Sequence, residues 1–328
     1  MIQNEESQDR KKRTRTLRIP WAGLLKVAVS LGLIVALVAW VDWPSALRAM
    51  SKASPGELLI GFLCIVPTVV LAAWRWSLCA RASSIRMPMM FYVKATYAAL
   101  FVGQFLPAGV GVDAARLGYF MHGRARLSHA LQSLLLDRLA GVTSVVFVMA
   151  IGLPFIWADL PPLLRAVGIS LVIATASGLS LILVLDRIPW LARYGGTGKR
   201  RKLIDVAFGV KRTIASRETA GAFLTSCLIY CLMILGVVWI GRSLGYDVPY
   251  LSLLAIVAMA VFVSLLPISV NGWGVREGAM VAGLAVLGVS KEAALGTSLL
   301  FGFANAVVTI PGAFLWYLRR KHESIDPR

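Results

Sequence analysis

Six ionisable side chains stand out because they lie inside or beside apolar sequence. Asp113 and Arg116 belong to "FLPAGVGVDAARLGYF", Asp137 and Arg138 to "SLLLDRLAG", and Arg276 and Glu277 to "LPISVNGWGVREGA". An arginine at membrane depth costs about 2.5 to 3.5 kcal/mol on insertion scales, so a functional partner is the default expectation. Guanidinium suits phosphate, because its planar fork donates two hydrogen bonds and stays charged. Arg116 and Arg276 are therefore candidate ligands for a phosphate-bearing head group, with Arg138 as a third. Asp113, Glu277 and Asp137 would position these cations or take part in proton coupling. A purely structural reading stands beside this one. Asp113 and Arg116, three apart on a helix, can meet, whereas the adjacent Arg276 and Glu277 point apart. Arg138, near the start of an apolar run, also suits a positive-inside anchor.

The elements that would hold these residues follow from composition. The chain has 328 residues, 58% hydrophobic and 15% charged, with mean hydropathy +0.75. That is too apolar for a soluble domain whose surface must be wetted, and it implies an integral membrane protein. Crossing about 30 Å of hydrocarbon takes about 20 apolar residues. Suitable runs lie at 22–41, 57–78, 139–157, 163–185, 220–241 and 294–318. The first follows a basic tail holding Arg10, Lys11, Lys12, Arg13, Arg15 and Arg18. It is too long for a signal core and lacks a small-x-small cleavage site, so it reads as an uncleaved span.

The net charge of +18 would suggest nucleic acid in a soluble chain. Here the excess sits in the basic tail, in the segment 186–218 and in the closing "YLRRKHE", and positive-inside orientation accounts for it. No nucleic-acid partner is expected; attraction to anionic inner-leaflet lipids is. Cys64, Cys79, Cys227 and Cys231 form no C-x-x-C pair, and His122, His129 and His322 are scattered, so neither a disulfide framework nor a metal site is expected. "GVGVDA" mimics a dinucleotide fingerprint without the strand that must precede it, and "GGTGKRR" lacks the Ser or Thr of a phosphate loop. No cofactor and no nucleotide-driven pump are predicted.

With the basic tail inside, the segment 42–56 lies outside, and span 57–78, interrupted by Pro67, returns to a cytoplasmic stretch holding Arg75, Arg81, Arg86 and Lys94. The apolar piece 95–107 would rise only about 20 Å as a helix and cannot cross. Cations follow it, so it goes in and comes back. The segment 251–267 behaves the same way from the external side. Between the basic residues of 186–218, Leu203, Ile204, Ala207, Val210 and Ile214 recur at helical spacing, which suits an interfacial helix or a solvated connector.

The two breaks resemble one another. "FVGQFLPAGVGVDAARLGYF" and "FVSLLPISVNGWGVREGAMV" each carry Phe-Val, Leu-Pro, a Gly-x-Gly, then an acid and an arginine in opposite order. Pro107, Gly109 and Gly111 answer to Pro267, Asn271, Gly272 and Gly274 as broken-helix backbone. Freed amides at membrane depth are tolerated only when buried in protein or lining a wet cavity. The predicted fold is an all-α polytopic membrane protein, with about six full spans plus two re-entrant broken-helix hairpins in an inverted-topology repeat. The expected organisation is a cytoplasmic tail 1–20, one membrane domain 21–318 and a cytoplasmic tail 319–328. Within the domain, repeat one covers about 57–185 and repeat two about 219–318, joined by the basic segment 186–218.

These three blocks resemble the signature blocks of the lysylphosphatidylglycerol synthase and flippase-like membrane family, over about 20–320. The resemblance implies a flippase-type core that moves a polar-headed lipid between leaflets of the inner, cytoplasmic membrane. The best-known members fuse that core to a soluble aminoacyl transferase domain. Ten residues follow Leu318 here, so no synthase activity is carried over and the chain is not expected to be an enzyme. Its expected partners are membrane lipids and a separately encoded lipid-synthesising enzyme. Ala108, Val112 and Asn271 stand where the family pattern usually has glycine, which bears on specificity. The rival readings are a membrane enzyme using Asp113 and Glu277 as acid and base, and a non-transporting scaffold for lipid-modifying enzymes.

Overall fold

The computed structural model describes residues 51, 53–104, 110–123, 125–184, 199–266 and 272–317, and every regular element among them is helical. In chain order these are α1 (Pro55–Ala82), α2 (Met89–Gly103), α3 (Val110–His122), α4 (Leu127–Gly152, closed by a 3-10 turn Leu153–Ile156) and α5 (Pro162–Leu183). There follow α6 (Lys199–Thr213), α7 (Arg217–Ser243), α8 (Tyr250–Leu265), α9 (Val275–Val286) and α10 (Lys291–Thr309, with a last helical piece to Tyr317). Helix is the only open-ended way to satisfy every amide within one segment in hydrocarbon. Five of the helices, α1, α4, α5, α7 and α10, are long and apolar enough to cross a membrane, and they match five of the expected spans. The expected span 22–41 and the tails 1–20 and 319–328 lie outside the described residues.

Both broken segments form helical hairpins. At about 1.5 Å per residue, α2 and α8 rise only about 22–24 Å, too little for a comfortable crossing. Each folds back on its successor. In the first hairpin Phe91 meets Tyr119 and Tyr92 meets Phe120, with ring centroids 6.2 and 6.4 Å apart, while Gly103 lies against Val112 near the break. In the second, Ile256 packs on Gly283 and Ser264 on Gly272. Residue numbers that rise on one helix and fall on the other make both hairpins antiparallel.

The second break turns through Gly272 and Gly274, whose φ of +77° and +82° lie in the left-handed region that costs an L side chain about 1–2 kcal/mol. Gly111, expected in the first break, instead sits in the first turn of α3, because the helix resumes at Val110. Pro107, Gly109, Pro267 and Asn271 lie outside the described residues.

The unit α1 to α4 recurs as α7 to α10, upside down. Helices α1 and α7 run antiparallel along their length: the Ser54 amide donates to the Ser243 carbonyl at 3.1 Å at one end, and Arg75 Nη1 to Ser226 Oγ at 3.3 Å towards the other. Gly152 at the end of α4 abuts Ala255 of α8, and Gly312 beyond the end of α10 abuts Tyr97 of α2. These glycines stand 160 positions apart, as do Pro107 and Pro267, so each unit lays the end of its last helix against the other's hairpin. One large apolar core runs through both units, from Ile65 on α1 to Val308 on α10. A smaller aromatic core of Trp76, Tyr92 and Phe120 fixes the first hairpin to α1, with Trp76 to Phe120 centroids 4.8 Å apart.

Helix α5, which the expected bounds of repeat one include, and α6 have no counterpart within α7 to α10. Only Gly168 of α5 is buried. Helix α6 is the helix expected among the cations of 186–218, but its apolar face turns to protein. Val206 and Val210 are buried, and Gln132 Nε2 of α4 donates to Thr213 Oγ1 at 3.2 Å.

Candidate functional site

Asp137 and Arg138 are consecutive on α4, so the helix aims them about 100° apart. Asp137 turns inward, with 4% of its side chain exposed, and two arginines meet it there. Arg75 of α1 binds it with both prongs, Nε to Oδ1 at 2.8 Å and Nη2 to Oδ2 at 3.1 Å. Arg116 of α3 adds Nη1 to Oδ2 at 2.8 Å, and its guanidinium lies over the Trp76 ring, 4.9 Å from the centroid. The Nε of Arg116 is buried without a hydrogen-bond partner. Arg138 turns outward and donates from Nε to Asp113 Oδ2 of α3 at 2.8 Å, with about a third of each side chain exposed.

The sequence suggested that Asp113 and Arg116 pair with each other. They pair instead with α4, Asp113 with Arg138 and Arg116 with Asp137, since both side chains on α3 face that helix. Arg75, placed by sequence in a cytoplasmic stretch, lies within α1. The carboxylate on α4 compensates its charge, so the residue need not leave the apolar run.

The three arginines and Asp137 line a cavity of about 240 Å³. Arg75, Arg116, Asp137 and Arg138 form its charged wall; Tyr230 of α7 and Ser264 near the end of α8 close it from the other unit. Asp137 stands ten residues into the 26-residue α4, about 15 Å along it, so the cavity lies well inside the helix and away from its ends. Among the described residues, three guanidinium groups and the carboxylates of Asp113 and Asp137 leave one cation in excess.

The counterpart in the second unit differs. Arg276 holds the place of Arg116, 160 positions on, but it is not among the residues lining this cavity. It donates to Glu277 Oε1 from Nε at 3.1 Å and from Nη2, and it lies over Trp273 and Phe301, 5.0 and 5.8 Å from their centroids. The expectation that Arg276 and Glu277 point apart fails, because a long guanidinium can curl back on its neighbour when aromatic rings wall it in. Glu277 also accepts from the Gly274 amide at 2.6 Å, capping the first turn of α9 beside the break. Where α4 has Asp137 and Arg138, α10 has Thr297 and Ser298, so among the described residues the ionic cluster belongs to one unit.

Sequence reasoning singled out Asp113, Arg116, Asp137 and Arg138, which converge. It missed Arg75 and Tyr230. Arg75 left a signal in "AAWRWSLCA", an arginine between two tryptophans inside a span; Tyr230 left none.

The model of the lysylphosphatidylglycerol synthase TM region matches residues 23–312. The UPF0104 membrane protein PH1989 of Pyrococcus horikoshii is 22% identical, over 90% of this chain and 97% of its own length. With its five apolar membrane-length helices and a match that spans both units, the chain is a multi-pass membrane protein belonging to the lysylphosphatidylglycerol synthase transmembrane-region family.

Proposed function

We propose that the cavity receives the phosphate-bearing head of a membrane lipid, and that the protein passes such lipids between leaflets. The observation that carries this reading is the convergence of Arg75, Arg116 and Arg138 on two aspartates around a hollow between apolar helices. An unpaired charge there would be costly, whereas a cluster with one cation in excess is complementary to one phosphodiester. Arg138 is the most accessible of the three, and Arg116 keeps a buried donor in reserve. The inverted hairpins supply the plan on which transporters alternate access around a fixed site.

The basic residues of 10–18, of 186–218 and of the closing "RRKHE" set both termini on the cytoplasmic side of the inner membrane by the positive-inside rule. Acid–base chemistry by Asp113 and Glu277 finds less support. Such chemistry needs juxtaposed carboxylates, and each of these is engaged by a different arginine in a different unit.

The test is translocation of a fluorescent phospholipid in proteoliposomes. Arg138→Ala and Arg116→Ala should each lower the rate by about tenfold or more, the loss of one charge-assisted hydrogen bond, in protein that elutes as wild type. A wild-type rate in either variant would overturn the assignment.

A further inference from the structure

A head group that enters the arginine cavity brings hydrocarbon with it, and that hydrocarbon needs an apolar path opening from the same cavity. A second hollow, about 290 Å³, lies between α4, α5 and α8. Its lining is almost wholly apolar, with Leu139 and Val142 from α4, Leu171, Ala174 and Gly178 from α5, and Phe262 from α8. Val142 lines both hollows, Leu139 follows Arg138, and Phe262 precedes Ser264 of the cavity wall by two residues. Helix α5 leaves this space unfilled: it is buried only at Gly168, against Leu153 near its start, and a Cβ added at Gly178 would meet nothing within 4 Å.

We infer that this groove is the tail half of the lipid site, occupied by an acyl chain of the amphiphile whose anionic head lies among Arg75, Arg116 and Arg138. The inference rests on the proposed function and extends it to the hydrocarbon. In a bilayer the chain gains little by exchanging lipid for Leu and Phe side chains, because lipid tails are as apolar as leucine. The groove therefore acts by geometry. It lets the chain remain in apolar surroundings while the head moves to mid-span, and its occupancy must follow the head group. An ordinary lipid-facing surface has no such dependence.

The experiment places a photoreactive benzoylphenylalanine at Ala174, which lines the groove, or at the neighbouring Ile173, which does not. The full chain is reconstituted in vesicles holding equal parts of anionic phosphatidylglycerol and zwitterionic phosphatidylcholine, and the attached lipids are weighed by mass spectrometry. Position 174 should capture the anionic lipid in about fivefold preference, the discrimination one partly exposed ion pair supplies. Arg138→Ala should abolish that preference, while position 173 mirrors the vesicle in both backgrounds. In parallel, Gly178→Trp should fill the groove and lower translocation by about tenfold with folded yield unchanged.

If position 174 captures no lipid, or mirrors the vesicle while Arg138→Ala still stops translocation, the tail assignment is overturned and the head-group site stands. If Gly178→Trp translocates at the wild-type rate, the groove is likewise excluded as a path. If Arg138→Ala itself translocates normally, the underlying reading fails and the tail site fails with it.

Discussion

Asp137 is the residue on which the site turns, because one buried carboxylate compensates Arg75 and Arg116 at once. Removing one partner of a buried ion pair leaves uncompensated charge and costs about 3–5 kcal/mol. Asp137→Asn should therefore depress the thermal unfolding midpoint in detergent strongly. Asp113→Asn, at a pair one-third exposed, should cost less than about 1 kcal/mol. Similar midpoints for the two variants would contradict the assigned burial. The double exchange Asp113→Arg with Arg138→Asp should restore the pair and the midpoint but not translocation, since it moves the exposed cation off α4. At this scale the residue types were legible in the sequence and the partners were not. Helical spacing offered Asp113 to Arg116, but both turned to α4, and neither the bidentate grip of Arg75 nor the curl of Arg276 onto Glu277 leaves a trace in local spacing.

The hairpins depend on their breaks. At the second, the left-handed backbone of Gly274 and the Glu277 carboxylate on its amide start α9 together. Gly274→Ala should cost about 1–2 kcal/mol through backbone strain, read as a lower unfolding midpoint, and Gly278→Ala, within α9 and with open space around it, should leave the midpoint unchanged or raise it. An equal loss in both would remove the strain argument. The position of the breaks was legible from Leu-Pro and Gly-x-Gly, since those residues disfavour continued helix wherever they occur. The resumption of helix at Val110, which takes in Gly111, was not, because a helical glycine and a turn glycine look alike in sequence. The docking of α6 on α4 was also illegible: helical periodicity gives the apolar face of Val206 and Val210 without saying whether lipid or protein covers it.

The whole molecule is a pair of inverted units with an unequal distribution of charge. Sequence similarity at an offset of 160 residues made the pairing legible, and the opposed directions followed from counting spans. The confinement of the ionic cluster to one unit came from Thr297 and Ser298 standing opposite Asp137 and Arg138, a difference visible only once the units are superposed. Because α1 and α7 are antiparallel, the loops after them lie on opposite faces. In a cysteine-free background, Ser84→Cys should react with an impermeant thiol reagent from one side of the membrane and Asp247→Cys from the other; both are exposed. Labelling from the same side would rule out the inversion.

The measurement that bears most directly on the central claim is a density map of the protein purified in native lipid. A phosphate should be lodged between Arg138 and the Arg75–Arg116 pair, within hydrogen-bond reach of at least two guanidinium groups. A cavity closed by side chains, with ordered lipid phosphates bound elsewhere on the protein, would contradict it.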